Sequence, residues 1–352
     1  METKLLEEIL NKISKKRLVV LGDYFLDFYI NLDRSLSELS LETHKEAFQA
    51  TGFRSQPGAA GVVTSNLVSL GAKATAVGYI GQDSFGLTLK KALSKSGVDT
   101  NHLIERNDRL TPTYTKPIMK EVDGINVELN RIDIINRTPN PQALNDLLVT
   151  HLEKVFSTHD GVLVLEQVRN DGCGVLSPYL RNALSNLENQ HPDIVVLVDS
   201  RHFLHEYHSL SLKMNLSEGL RSLDMIADQT TFNQKNQQNA TNNCLDTFWM
   251  LNNKPVFISL GEEGICGIDK AGKFYHPGFH QDGPIDVVGA GDSVLAAIGV
   301  ALCAGASPKQ AAYIGNLVGS IIVQKIGTTG VATPKEIFHR HLAYQKQQKG
   351  IN

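Results

Sequence analysis

The chain has little tryptophan (one residue), few cysteines (four) and almost no excess of charge, its net charge being −3 over 352 residues. No apolar run approaches the ~20 residues needed to cross a bilayer, which excludes a membrane-spanning helix. The near-neutral balance excludes a global basic field for nucleic acid. Cys173, Cys244, Cys266 and Cys303 are scattered, with no Cys-x-x-Cys pair. That excludes a disulfide scaffold and a thiolate metal cluster, and points to reduced thiols in a cytoplasmic protein. The histidines, including His202, His205, His208 and His280, show no metal-ligand spacing. The first ten residues are acidic and amphipathic and lack the basic start and apolar centre of a signal peptide.

What is present is ordinary globular composition, 41% hydrophobic and 20% charged. Apolar residues at helical spacing predict a helix over 4–14, through Leu5, Ile9, Leu10 and Ile13. Continuous apolar runs at 17–22, 74–80, 161–165, 194–198, 225–227 and 256–260 read as strands covered on both faces. Helical patterns at 61–70, 86–96 and 141–155 separate them. This alternation predicts a doubly wound α/β domain with a mainly parallel sheet. Two stretches, about 28–55 and 110–135, carry β-like alternation instead, with a hairpin turn at 122–125. They read as a small β-sheet lid over the strand ends, or else as an extension of the main sheet. The Asn/Gln-rich stretch 233–243 reads as a polar loop or helix face.

The strongest chemical signal is Asp286-Val-Val-Gly289-Ala290-Gly291-Asp292-Ser293, followed by a long helix of small residues. Two glycines allow a tight turn and close backbone approach to a ligand. The helix start offers unpaired N–H groups and the positive dipole end, a site suited to phosphate. Asp292 lies where it can take a proton from an alcohol beside that phosphate, the arrangement of phosphoryl transfer. The octapeptide alone is equally a Gly-rich turn with Asp292 as a helix cap. A second signal is Pro57-Gly58-Ala59-Ala60-Gly61, with Asn66 and then Gly81-Gln-Asp83-Ser-Phe85-Gly86. Small residues there suit close packing of a helix, either beside a bound sugar or simply against the adjoining strand, since both select Gly and Ala, and the latter segment reads as a turn opening the next helix.

Taken in order, these segments resemble the PfkB/ribokinase family of sugar kinases over about residues 15–335. Within it the likeness is strongest to the kinase domain of the bacterial heptose 7-phosphate kinases, which in bifunctional enzymes is joined to a separate, nucleotidyl-transferring ADP-heptose synthase domain. Gly22-Asp-Tyr-Phe-Leu-Asp27, Thr115-Lys116 with Arg131-Ile-Asp133, Asp199-Ser-Arg201 through Asn215-Leu-Ser-Glu218, and Lys325-Ile-Gly-Thr-Thr-Gly330 carry it. The resemblance implies a single ribokinase-like domain over 1–352, phosphorylating an alcohol of a sugar or sugar phosphate with ATP and Mg2+. It makes Asp292 the base and Gly289, Ala290 and Gly291 the anion hole. Asn215, Glu218, Ser259, Gly261, Gly264, Asn316 and Gly327 fall on the ATP side, with Glu218 organising Mg2+ through water. Asp27, Gly58, Ala59, Lys116, Arg131 and Arg201 fall on the substrate side. Asp286, with carbonyls near Val288 and 322–327, becomes the ligand of a monovalent cation, K+ being the candidate. Dimerisation through the β lid is a further implication.

The chain departs from the family at several points. Gly58-Ala59 stands for Gly-Gly, Val62 for an Asn, and Cys173 for a Lys. Glu38-Leu-Ser-Leu-Glu42 replaces Arg-Ile-Ser-Pro-Glu, and Asp286-Val-Val lacks the usual hydroxyls. Two other functions therefore stay open: a nucleoside or vitamin kinase on the same fold, and an inert nucleotide- or sugar-binding regulator.

Overall fold

The computed structural model describes residues 1–226, 237–279, 281 and 283–350. Helix α1 (Thr3–Ile13) buries Leu6, Ile9, Leu10 and Ile13, so Leu6 rather than Leu5 completes its apolar face. The chain then runs through β1 (Arg17–Gly22), β2 (Tyr24–Leu39), β3 (Glu46–Ala59), α2 (Ala60–Ser69), β4 (Lys73–Gly81), α3 (Ser84–Lys95) and β5 (Asp99–Arg106). Next come β6 (Thr113–Lys120), β7 (Asn126–Glu128), β8 (Ile132–Ile134), α4 (Gln142–Phe156), β9 (Gly161–Glu166), α5 (Pro178–Gln190), β10 (Val195–Ser200) and β11 (Ser211–Asn215). The remainder is α6 (Leu216–Ile226), α7 (Gln237–Asn252), β12 (Val256–Ser259), β13 (Gly264–Asp269), β14 (Gly272–Pro277), α8 (Ala290–Cys303), α9 (Pro308–Ile322) and α10 (Pro334–Gly350).

Nine strands form one sheet in the order β14-β13-β12-β11-β10-β9-β1-β4-β5. Its pairs from β12 to β5 are parallel, and β13 and β14 are antiparallel additions at one edge. The continuous apolar runs follow from burial on both faces, because successive side chains point to opposite sides. Leu18 and Val20 pack with α1, α2, α8 and α9, whereas Val19 and Leu21 pack with α4 and α5. At 81–86 the Asp83 carboxylate caps α3 through the Gly86 N–H at 2.8 Å and accepts the Thr111 N–H as well.

One expected strand is corrected. Met225 and Ile226 end α6, and Ala227 lies outside the described residues. The strand at this place is β11, whose Ser-Leu-Lys-Met-Asn sequence hides it because a charged residue interrupts the apolar run. Of the Asn/Gln-rich stretch, 233–236 lie outside the described residues and 237–243 open α7. His280 also lies outside them.

The second sheet is separate from the first, with order β3-β2-β6-β7 and β8 paired to β6. The long hairpin β2–β3 rises from the end of β1, and the 122–125 turn joins β6 to β7 with Gly124 at φ 84°. Among the described residues no helix is long and apolar enough to cross a membrane.

Candidate active site

The candidate residues converge on the carboxyl ends of the parallel strands, where open α/β sheets bind ligands. Asp292 sits in the first turn of α8 and is buried. Gly289 precedes the helix at φ 77°, and a Cβ there would stand 3.0 Å from the Thr329 Cβ. A glycine is thus required by both backbone angle and space. The Ala290 N–H donates to the Val287 carbonyl at 3.2 Å, while those of Gly291 and Asp292 have no backbone acceptor among the described residues. Two N–H groups at a helix start remain for an anion.

Arg201 organises the carboxylates around this turn. Its guanidinium donates to Asp292 Oδ1 at 3.1 Å, to Glu218 Oε1 at 2.9 Å and to Gln167 Oε1 at 3.2 Å. Burial pushes the Asp292 carboxyl up to about 6, a rise that the Arg201 and Lys213 charges oppose and the Asp199 charge supports. A carboxylate so placed accepts a proton more readily than an ordinary one. Glu218 and Asn215 form a reciprocal cap at the start of α6. The Asn215 N–H donates to Glu218 Oε2 at 2.8 Å, and the Glu218 N–H to Asn215 Oδ1 at 2.9 Å. Capping and site placement are therefore joined in one pair, since the other Glu218 oxygen holds Arg201.

A cavity of about 240 Å³ brings Asp27, Ala59, Lys116, Arg131, Arg201, Gly289 and Asp292 together. Asp27 pairs with Lys116 at 3.3 Å, and burial raises the pKa of its carboxyl. Lys116 also donates to the Tyr29 hydroxyl at 3.3 Å. Gly58 lies against Asp27, where a Cβ would stand 3.0 Å from Oδ1. Ala59, at φ 48° and ψ −118°, occupies a backbone conformation that glycine adopts without strain. Val62 lines the same cavity, whereas Cys173 is buried with Phe25 and Val168.

The residues expected on the ATP side lie outside that cavity. Ser259 ends β12 and donates to the Met214 carbonyl, and Gly261 and Gly264 take φ 63° and 108° in the turn that follows. The Asn316 amide on α9 donates to the Pro277 carbonyl at 2.7 Å. Asp286 accepts the N–H groups of Val288 and Gly327 at 3.0 and 2.9 Å, tying two loops together.

Three features escape the sequence reading. Lys213 on β11 is 2% exposed and donates at 2.6 Å to Asp199, which is fully buried and whose Oδ1 has no partner. The ammonium would lie 3.3 Å from a Cβ at Gly291, directly beneath the anion turn. Asp23 accepts the N–H groups of Gln167, Val168 and Val175, fixing the loop after β9. Glu166, at the end of β9, is held by Arg181, Ser200 and Tyr207, and burial raises its carboxyl to about 7. That network braces the turn carrying Arg201, whose N–H donates to the Glu166 carbonyl.

The bifunctional protein HldE of Trichlorobacter lovleyi is 28% identical over 96% of this chain and 65% of its own length. That of Magnetococcus marinus is 29% identical over 90% of the chain and 62% of its own length. The chain therefore spans less than two thirds of these relatives. Phosphofructokinase-2 from Escherichia coli, in complex with potassium, superposes with a TM-score of 0.69 at 18% identity, covering 93% of this chain and 98% of that one. Arabidopsis thaliana ribokinase, complexed with ribose and ATP, gives 0.64 at 19%, covering 92% and 98%. Both share the fold. The model of the pfkB family carbohydrate kinases matches residues 15–336, a span that takes in the glycine turn, Asp292 and both sheets, and the chain belongs to that family of carbohydrate kinases.

Proposed function

We propose that the protein transfers the terminal phosphoryl group of ATP to an alcohol of a sugar monophosphate, as the heptose 7-phosphate kinases it resembles do. The observation that carries the reading is that Asp292, at the glycine turn, and the Asp27–Lys116 pair, on the second sheet, face one cavity. Asp27 accepts a hydrogen bond from a sugar hydroxyl and Lys116 donates one. Asp292 takes the proton of the attacking hydroxyl. Arg201 holds the Asp292 carboxylate in place and brings positive charge to the path of the transferring group.

The turn fits a nucleotide phosphate, because Gly289 leaves the space a Cβ would fill and two N–H groups there lack backbone acceptors among the described residues. Magnesium ATP supplies the phosphoryl group and neutralises its charge. Both Glu218 oxygens already accept a hydrogen bond, so the fixed carboxylate would act on the metal through water. We assign Asp286, with nearby carbonyls, to a monovalent cation, K+ being the candidate. The second sheet reads as a lid that closes over the sugar, and its edge strand β3 as the contact with a second copy. Phe53 on that strand is 77% exposed, and an uncovered edge favours pairing. Four free cysteines fit the cytoplasm, where ATP is available.

An ATP-consumption screen across sugars, sugar monophosphates and nucleosides tests the reading. Sugar monophosphates are expected to be the best acceptors. Preference for a nucleoside overturns the substrate class, and no consumption with any acceptor favours an inert binding protein.

A further inference from the structure

The cavity at Asp292 adjoins a larger one of about 440 Å³, and the two share Tyr114, Arg131, Gln167 and Arg201 as lining residues. Arg131, Arg169, Arg201, Arg221 and His202 line the larger cavity, against a single carboxylate among the described residues, Asp133. These cations are not equivalent. Arg131 is paired with Asp133 at 3.1 Å, and Arg201 with Glu218 and Asp292. Lys116, in the smaller cavity, is paired with Asp27. Arg169, in contrast, has no ion-pair or hydrogen-bond partner among the described residues. Among the described residues, Arg221 donates only to the backbone carbonyl of Arg201, at 3.3 Å. His202 touches the Phe203 ring, and burial together with the charges of Arg221, Arg169 and Arg201 holds its imidazole below the usual range.

Uncompensated guanidiniums around one concavity repel each other, and an anion seated among them relieves that repulsion. Their planar donor forks match the oxygens of a phosphate monoester. Both arginines stand on braced elements. Arg169 lies in the loop fixed by the buried Asp23 carboxylate. Arg221 lies on α6, whose start is fixed by the Asn215–Glu218 cap.

We propose that Arg169 and Arg221, with His202 beside them, form the subsite for the phosphate monoester of the sugar substrate, next to the cavity where its hydroxyl meets Asp292. The proposal rests on the kinase reading above and deepens it. It moves the substrate phosphate away from Lys116, Arg131 and Arg201, each of which already holds a carboxylate.

Calorimetric binding, with the nucleotide site filled by magnesium ADP, tests this apart from turnover. The probes are sugar monophosphates of five to seven carbons, their unphosphorylated counterparts and inorganic phosphate. The proteins are the parent, Arg169→Gln, Arg221→Gln and the double variant. Both side chains are exposed, so the variants should keep the parent's melting temperature. Each substitution is expected to weaken sugar monophosphate binding about tenfold or more, and the double variant about a hundredfold or more. Unphosphorylated sugars should bind all four proteins alike. The subsite is overturned if the double variant binds sugar monophosphates as the parent does, or if the parent shows no preference for them. Arginine-dependent binding of inorganic phosphate without preference for the phosphorylated sugars marks a free-anion site and overturns the substrate assignment. If binding depends on the arginines but no probe supports ATP consumption, the subsite stands and the kinase reading fails.

Discussion

Replacing the proposed base separates chemistry from stability, because Asp292→Asn should move them in opposite directions. The folded carboxyl is pushed up to about 6 from an ordinary 3.8, chiefly by burial. Folding therefore strengthens proton binding, and stability falls as pH rises from about 4 to about 6. Above that window the ionised carboxylate costs up to about 3 kcal/mol, from 1.36 kcal/mol per pKa unit. The variant's amide carries no such cost and still offers Arg201 an oxygen acceptor. Urea unfolding should show it more stable than the parent at pH 8, by up to about 3 kcal/mol, with the gap closing toward pH 4. Turnover should fall about 10²–10⁴-fold, and the parent's kcat/KM should rise through about pH 6 as Asp292 ionises. Near-parent turnover in the variant, or lower stability at pH 8, would refute the assignment of Asp292 as a buried general base.

Three other outcomes are expected. Lys213→Met leaves the buried Asp199 unpaired, so stability should drop by about 3–5 kcal/mol in urea unfolding, and loss of its charge should shift the acid limb of kcat/KM upward; an unmoved limb removes Lys213 from the site's electrostatics. Ala59→Gly relieves a positive-φ alanine, and its denaturation midpoint should rise by the equivalent of about 1 kcal/mol. If β3 forms the proposed contact, the parent should sediment as a dimer and Phe53→Lys as a monomer; a parent that sediments as a monomer contradicts the contact through β3.

Much of the fold is legible in the chain because its chemistry is local. The strand β1 reads as a strand because both its faces are covered, and α3 is announced by the 81–86 turn, which in the structure Asp83 closes as the helix cap. By contrast, β11 is hidden, since Lys213 resembles a break and its partner Asp199 lies on another strand. The glycine spacing around Asp292 marks a turn and a helix start in the sequence itself. The bracing of Arg201 by Glu166 and Glu218 is invisible in sequence, because those contacts join separate strand ends. Arg169 and Arg221 look like ordinary surface arginines until the fold sets them around one cavity.

The most direct test of the central claim is the mass of the product formed from ATP and the preferred acceptor. The account predicts a sugar monophosphate that gains one further phosphoryl group on a hydroxyl, with the parent protein and not with Asp292→Asn. A product phosphorylated on a nucleoside, an acceptor recovered unchanged, or equal product from the variant would contradict it.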